Sequence, residues 1–139
     1  MVFRTLAEDV LIDSGHNANL RSYYAEEAIL AGQVVKLGTT NDEAVEPSDT
    51  DGELVVGVAL TDAAAGEQVT VARDGCKVRA TSATGTVAGG ELVASHGATG
   101  EEGEVDSATT ADYYLGIAVA DDDGANDDVL VEINIGGPV

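Results

Sequence analysis

Short runs of valine and other apolar residues recur along the chain from Ala31 onward, separated by glycine, aspartate, asparagine, serine and threonine. This arrangement is typical of β-strands joined by turns. The last run alternates apolar and polar residues at its end, which predicts one buried and one solvated face. The pattern predicts strands at residues 33–37, 54–60, 68–72, 76–80, 91–95, 113–120 and 129–135.

The first 30 residues follow a different pattern. Val10, Leu11 and Ile12 form one short apolar run, and residues 14–24 contain no acidic residue. Residues 25–31 are compatible with one or two helical turns by propensity, and equally with the entry to a strand, because so short a piece has no decisive period. We therefore expect an extended N-terminal arm that serves as a docking segment at residues 1–30, and a β domain at residues 31–139.

An internal repeat occupies residues 31–75 and 89–136. Each copy begins with a glycine, any residue and two apolar residues, and an acidic loop follows. The copy then continues with the motif apolar-Gly-apolar-Ala-apolar-x-Asp and ends in a strand of alternating apolar and polar residues. The motif glycines Gly57 and Gly116 fall inside predicted strands, where glycine usually marks a bulge or a tight bend. Each copy is too short to form a robust domain alone. The repeat therefore predicts an all-β fold, a small β-barrel or sandwich with two pseudo-repeated halves.

The charge of the chain narrows the classes of partner. The 139 residues include 26 acidic and 6 basic ones, for a formal net charge of −20. Nucleic-acid binding requires a basic face, and anionic membranes attract basic segments, so both partners are disfavoured. The acids are spread along the chain, as in halophilic proteins, whose carboxylates keep the surface hydrated while molar salt screens their repulsion. We expect a halophilic protein, with an ordinary acidic mesophilic domain as the alternative.

Targeting and disulfide signals are missing from the sequence. No stretch approaches 18 apolar residues, which predicts no membrane-spanning helix. Acidic residues stand near the start, where a signal peptide has an apolar run, so we expect no secretory signal. The single cysteine, Cys76, excludes an intramolecular disulfide and a multi-cysteine zinc site.

Candidate catalytic and metal-binding residues are few. His16 and His96 are the only histidines, and no motif joins either to a nucleophile. Cys76 lies in a predicted strand without the neighbouring base that a nucleophilic cysteine requires. The acidic loop at residues 121–128 fails as an EF-hand, because aligning its Gly124 places Val119 and Leu130 at ligand positions. We therefore expect no enzyme, no cofactor and no specific metal site.

The repeat region resembles a family of small phage proteins. Residues 57–71 read Gly-Val-Ala, an alanine-glycine turn and Glu-x-Val-x-Val, and Gly75 opens the next strand. Residues 32–35 and 115–118 follow the same family order. These proteins are the capsid decoration proteins of tailed viruses, also called head-stabilising or cement proteins, and the resemblance covers residues 28–136. The acidity and the long acidic loops at 39–53 and 99–112 depart from typical members and fit a virus of a haloarchaeon.

The resemblance implies a structural virion protein that binds the outer surface of the capsid and stabilises it. Its implied partners are the major capsid protein and two further copies of the chain in a homotrimer. It implies residence on the capsid surface after synthesis in the host cytoplasm. The alternatives are another virion component, such as a turret, fibre-base or tail module, or a β-barrel binding module of a halophile.

The least acidic segments predict the docking surface. A capsid from a halophilic virus is itself expected to be acidic, so contacts should use patches without negative charge. Residues 14–25 contain one arginine and no acid, and residues 68–90 have a net charge of +2. Tyrosine and arginine are also enriched at interfaces. The predicted contact residues are Arg21, Tyr23, Tyr24, Arg73, Lys77 and Arg79.

Overall fold

The computed structural model describes residues 10–13, 19–83, 87–97, 100–122 and 128–139, which form eleven β-strands. Among these residues no helix is long and apolar enough to cross a membrane. The strands are β1 (Leu11–Asp13), β2 (Leu20–Ala25), β3 (Val34–Leu37), β4 (Ala44–Pro47), β5 (Gly57–Ala59), β6 (Gln68–Ala72), β7 (Lys77–Thr81), β8 (Leu92–His96), β9 (Glu104–Ser107), β10 (Tyr114–Ala118) and β11 (Asp128–Gly136).

Strands β2 to β6 close into a barrel in the order β2-β4-β3-β5-β6. β2 and β4 are parallel, and every other neighbouring pair, including the closing pair β2–β6, is antiparallel. We call this unit the first barrel. Its interior holds small β-branched and alanine side chains, among them Val35, Val45, Val69 and Val71. These residues alternate along their strands with outward-facing ones, as a closed barrel requires.

The remaining strands form a six-stranded sheet in the order β1-β7-β11-β10-β8-β9. The sheet curls back on itself, because Ser82 at the end of β7 forms a parallel bridge with Val105 of β9. We call β7 to β11 the second barrel. β1 is the additional strand, paired with β7 along the edge that β9 leaves open. The large apolar cluster spans both units: Val34, Val58 and Ala72 pack outside the first barrel against the interior of the second.

The two barrels have the same strand pairing. β2 to β6 correspond in order to β7 to β11, and each barrel joins its first and third strands in parallel. The equivalent backbone bonds agree in length: the Glu26 N–H donates to Val45 O at 2.9 Å, and the Ala83 N–H donates to Val105 O at 2.9 Å. The predicted all-β fold with two similar halves is confirmed. The structural repeat begins at β2 and β7, one strand before each copy of the sequence motif.

The two motif glycines that lie within strands each pack closely against a backbone carbonyl of the neighbouring strand. A Cβ atom at Gly57 would overlap the carbonyl oxygen of Ala72, and one at Gly116 would overlap the carbonyl oxygen of Glu132. These carbonyls belong to β6 and β11, the strands that pair with β5 and β10. Only glycine lets the two backbones approach so closely. The β10–β11 register also shifts beside Gly116, which agrees with the bulge predicted there.

The aspartate that ends the motif fixes the turn that begins it. Asp62 Oδ1 accepts the Ala31 N–H at 2.8 Å, and Asp121 Oδ1 accepts the Gly89 N–H at 2.7 Å. Each acceptor holds the turn before β3 or β8, where Gly32 and Gly90 have φ angles of +93° and +91°. The sequence repeat therefore records one backbone arrangement used twice.

Several strands lie outside the predicted runs. β4 and β9 form within the segments expected to be acidic loops, and β1 and β2 form within residues 1–30. β2 is a full member of the first barrel, paired with both β4 and β6. Residues 25–31, left open between helix and strand, contain the end of β2 and an isolated bridge from Ile29 to Ala63.

Candidate docking face

The outer surface of β2 and β6 carries no charged side chain. Tyr23 packs against the interior of the first barrel, so its neighbours Ser22 and Tyr24 face outward, as does Leu20. Thr70 and Gln68 lie opposite Ser22 and Tyr24 on β6. Leu20 is 41% exposed and Tyr24 is 51% exposed. We call Leu20, Ser22, Tyr24, Gln68 and Thr70 the uncharged face.

The equivalent surface of the second barrel is charged. Its positions on β7 are Lys77, Arg79 and Thr81, which lie opposite Glu132, Leu130 and Asp128 on β11. Two cations and two anions therefore stand where the first barrel has only neutral side chains. Since 26 acids are spread over the chain, a two-strand surface with no charge is a specific feature of the first barrel.

Four of the six predicted contact residues are cations that form no ion pair with another described residue. Among the described residues, no carboxylate lies within 4.0 Å of the charged nitrogens of Arg21, Arg73, Lys77 or Arg79. Lys36, by contrast, contacts three carboxylates. No described carboxylate therefore pairs with the charge of these four side chains.

The structure places the six predicted contact residues in two groups. Arg21 and Tyr24 are exposed on β2, and Arg73 lies beside the start of that strand, where its N–H donates to Asn19 O at 2.8 Å. Lys77 and Arg79 lie on β7, in the second barrel. Tyr23 is half-buried and packs against the interior of the first barrel. The sequence missed Leu20 and Ser22, although the run of acid-free residues around them was the available signal.

Arg73 has an unsatisfied polar atom. Its Nε is buried and has no hydrogen-bond partner in the part of the chain that the structure describes. A buried guanidinium nitrogen without an acceptor is costly, and such atoms in native proteins are usually satisfied by a further group. The atom lies at the junction between β6 and β7.

A cluster of ionised side chains holds the loop after β4. Lys36 Nζ lies 2.6 Å from Asp49 Oδ1, 3.3 Å from Glu53 Oε1 and 3.5 Å from Glu46 Oε1. Burial opposes the charged form of Lys36, but the hydrogen bonds that Lys36 donates to Asp49 and Glu53 outweigh it and raise the Lys36 pKa. The same lysine lowers the pKa of Asp49, whereas burial raises the pKa of Glu46. The cluster is structural, since all its groups satisfy one another.

Glu26 fixes the loop between β3 and β4. Its carboxylate accepts the backbone N–H groups of Asn41 at 2.6 Å, Thr40 at 2.8 Å and Thr39 at 3.2 Å. These bonds, the one from Asn41 foremost, hold the pKa of Glu26 below its ordinary value. The loop is thereby held at the C-terminal end of β2, and it does not extend along the earlier residues of that strand.

His96 joins the two barrels. Its Nε2 lies 2.9 Å from Glu101 Oε2, and its Nδ1 lies 3.8 Å from Asp51 Oδ1 and 3.9 Å from Asp106 Oδ2. Asp51 belongs to the loop of the first barrel, and its carboxylate also accepts the Gly97 N–H at 2.7 Å. No group of three or more histidine, cysteine or acidic side chains among the described residues is arranged to hold a metal ion. His16 and the acids Asp123 and Asp127 lie outside the described residues.

One apolar pocket of about 510 Å³ lies between residues 28–33 and 62–67. Ile29 and Ala63 are buried at this pocket and bridge to each other. Its two carboxylates are already occupied: Asp62 accepts from Ala31, and Glu67 accepts the Ala64 N–H at 2.7 Å. Both carboxylates therefore also serve the local backbone structure at this pocket.

The chain matches a protein family by sequence and a solved structure by fold. The model of the phage cement protein family matches residues 14–133. The N-terminal base of the head fibre protein gp8.5 of bacteriophage phi29 has the same fold, with a TM-score of 0.61. That match covers 84% of this chain and 93% of the phi29 chain, at 15% sequence identity. No curated protein sequence gives a significant match.

Proposed function

The chain belongs to the phage cement protein family and is a structural component of a virion, and we propose that it binds the outer surface of the capsid and stabilises it. The observation that carries this proposal is the pairing of an uncharged face with cations that have no carboxylate partner in the described chain. A binding surface of this kind suits a protein whose role is adhesion to a large partner and not catalysis.

The proposed partner is the major capsid protein of the same virus. A chain with a net charge of −20 is repelled by an acidic shell wherever two acidic surfaces meet. Contact through Leu20, Tyr24 and the neighbouring Arg21 avoids this repulsion, because these residues offer apolar area and one positive charge. Burial of the exposed parts of the Leu20 and Tyr24 side chains then supplies part of the binding free energy.

The proposed assembly is a homotrimer on the capsid of a haloarchaeal virus. The trimer follows from the resemblance to decoration proteins, and the halophilic source follows from the composition. We propose synthesis in the host cytoplasm and final residence on the particle. A fibre base is the second candidate, favoured by the shared fold with the phi29 head fibre base; cryo-EM density for further protein attached above this chain distinguishes it.

Particle binding tests the proposal. Virions stripped of this protein are incubated with the purified chain in molar NaCl, and bound protein is measured after sedimentation. We expect the wild type to bind and Arg21→Gln to bind more weakly, by about fivefold to tenfold, since an interface charge pair is worth roughly 1 kcal/mol or more. Thr110→Glu is the matched control, because it changes the net charge by the same single unit at an exposed position elsewhere. Absence of wild-type binding would refute the proposal.

A further inference from the structure

The edge of β2 that faces away from β6 is open at the start of the strand. Asn19 and Ala25 exchange backbone hydrogen bonds with the β6 side. Backbone groups alternate along an antiparallel strand, so Leu20, Ser22 and Tyr24 direct theirs toward the opposite edge. The Tyr24 N–H donates to Glu43 O at 3.0 Å, whereas the N–H and C=O groups of Leu20 and Ser22 have no backbone partner among the described residues.

The reason for the open edge lies in the loop before β4. β4 pairs with β2 only at Tyr24 and Ala25. Glu43, which precedes β4, has a φ angle of +53°, and the loop before it is held by the carboxylate of Glu26. The chain therefore turns away from β2 at Glu43, and no other described segment pairs with residues 20–23 on this side.

In the second barrel, the equivalent edge pairs with a further strand. Arg79 corresponds to Ser22 in the pairing of the two barrels, and its N–H donates to Val10 O at 2.9 Å. β1 thus covers the edge of β7 as an antiparallel strand, with Leu11 opposite Val78. The same backbone geometry in the first barrel meets no such strand in the described chain.

We propose that an extended segment of the capsid subunit adds to β2 as an antiparallel strand, in the position that β1 occupies on β7. The proposal rests on the proposed capsid-binding function and specifies its mode. In strand addition, main-chain hydrogen bonds supply affinity and the side chains on either side supply selectivity. Here the segment bonds Leu20 and Ser22 and extends the uncharged face.

Charge favours a capsid segment over a second β2 edge as the source of this strand. Arg21 lies on β2 and has no carboxylate within 4.0 Å among the described residues. Two β2 edges from two copies would face arginine with arginine. An acidic capsid segment instead places its carboxylates beside this guanidinium group and forms charge-assisted hydrogen bonds.

The test removes one backbone donor. Ser22→Pro deletes the N–H that points to the open edge, where proline is tolerated because no backbone hydrogen bond to a described residue is lost. Ser22→Ala is the matched control: it keeps the N–H and loses only the hydroxyl that donates to Gln68 Oε1 at 3.3 Å. With stripped virions, we expect Ser22→Pro to bind about tenfold more weakly and Ser22→Ala to bind as the wild type does. Equal binding by both variants would overturn strand addition while leaving capsid binding intact.

Amide hydrogen exchange gives an answer that does not depend on how the proline variant folds. We expect the Ser22 amide of the wild type to exchange rapidly in the isolated protein and slowly on the particle. The Arg79 amide, bonded to Val10 in the chain itself, serves as the internal reference and is protected in both states. Protection of Ser22 in the isolated protein would overturn the proposal: protection that rises with protein concentration assigns the edge to a second copy, and protection at every concentration assigns it to this chain.

Discussion

The two barrels share a backbone and differ in what they present to solvent. Residues 20–72 contain two basic and ten acidic residues, and residues 77–136 contain two basic and twelve acidic ones, so net charge does not separate them. The difference lies in position: the outer surface of β2–β6 is neutral, and that of β7–β11 carries four charges. A duplicated fold thus keeps the contacts that close each barrel and varies the surface available for binding.

The two barrels also differ in whether a further strand pairs with the outer edge of their first strand, as β1 does with β7. One barrel has its first strand flanked on both sides, and the other leaves residues 20–23 with one open edge in the described structure. Exposed edges promote unwanted pairing, and proteins usually cover or charge them. Among the described residues only the second barrel has this edge covered, which is the arrangement expected if the first barrel is the half that binds the proposed partner.

Low salt should affect both halves together, because both carry an excess of acid. At roughly 0.01 M salt the Debye length is about 30 Å, so carboxylates repel one another across the whole molecule, whereas at about 1 M it is about 3 Å. We expect circular dichroism to show unfolding, and sedimentation to show release from particles, as NaCl falls from about 3 M to about 0.1 M. A flat profile would contradict the halophilic interpretation. A two-step profile would show that the barrels unfold separately.

Substitution of the motif glycines should be the most destabilising change of a single residue in either half. Gly57→Val and Gly116→Val each force a side chain into a backbone carbonyl that cannot move without opening the barrel. We expect each to lower the free energy of unfolding by about 3 kcal/mol. Gly66→Ala is the control: it has φ +88° but open space around it, and left-handed strain alone costs about 1 kcal/mol. Unequal losses at Gly57 and Gly116 would show that the two closures are not equivalent.

Substitution of Lys36 should test the ion-pair cluster of the first barrel, which has no counterpart at the equivalent position of the second barrel. The equivalent position in β8 is Ala94, which is buried without charge. Lys36→Met leaves three carboxylates near one another, and we expect a loss of about 2 kcal/mol at neutral pH, between the values for exposed and buried pairs. Because Lys36 lowers the pKa of Asp49, this stabilisation is present above the ordinary pKa of aspartate and is lost as pH falls through the lowered value.

The unfolding free energies of Lys36→Met and the wild type should therefore converge in acid. Denaturant titrations at a series of pH values measure this difference, and Lys36→Arg serves as the control that keeps the charge. A difference that stays constant from neutral to strongly acidic pH would show that Lys36 contributes through packing and not through its charge.

The sequence predicted the repeat because its signals are local: a glycine, an alternation and an aspartate at fixed spacing. β4 and β9 escaped prediction because each has only four residues and one valine, Val45 or Val105, beside acidic residues, so neither shows a clear alternation of apolar and polar positions. The uncharged face was inaccessible for another reason. Residues 20–25 lack acids in the sequence, but only the pairing of β2 with β6 shows which of their side chains share a surface with Thr70 and Gln68.

The aspartates that hold the turns give the smallest effect and the closest comparison of the two halves. Asp62→Ala and Asp121→Ala each remove the acceptor for one backbone N–H, and we expect each to cost about 1 kcal/mol of unfolding free energy, as at helix caps. Asp62→Asn and Asp121→Asn retain an acceptor oxygen, so most of the stability should return. Asp42→Ala is the charge-matched control, since Asp42 is exposed and accepts no hydrogen bond among the described residues. Because the two turns lie in different barrels and share no bond, the double variant should lose the sum of the single losses to within about 0.5 kcal/mol. A larger loss in the double variant would mean that each turn stabilises the other across the interface between the barrels. The two barrels would then unfold as one cooperative unit, although their backbones form two separate repeats.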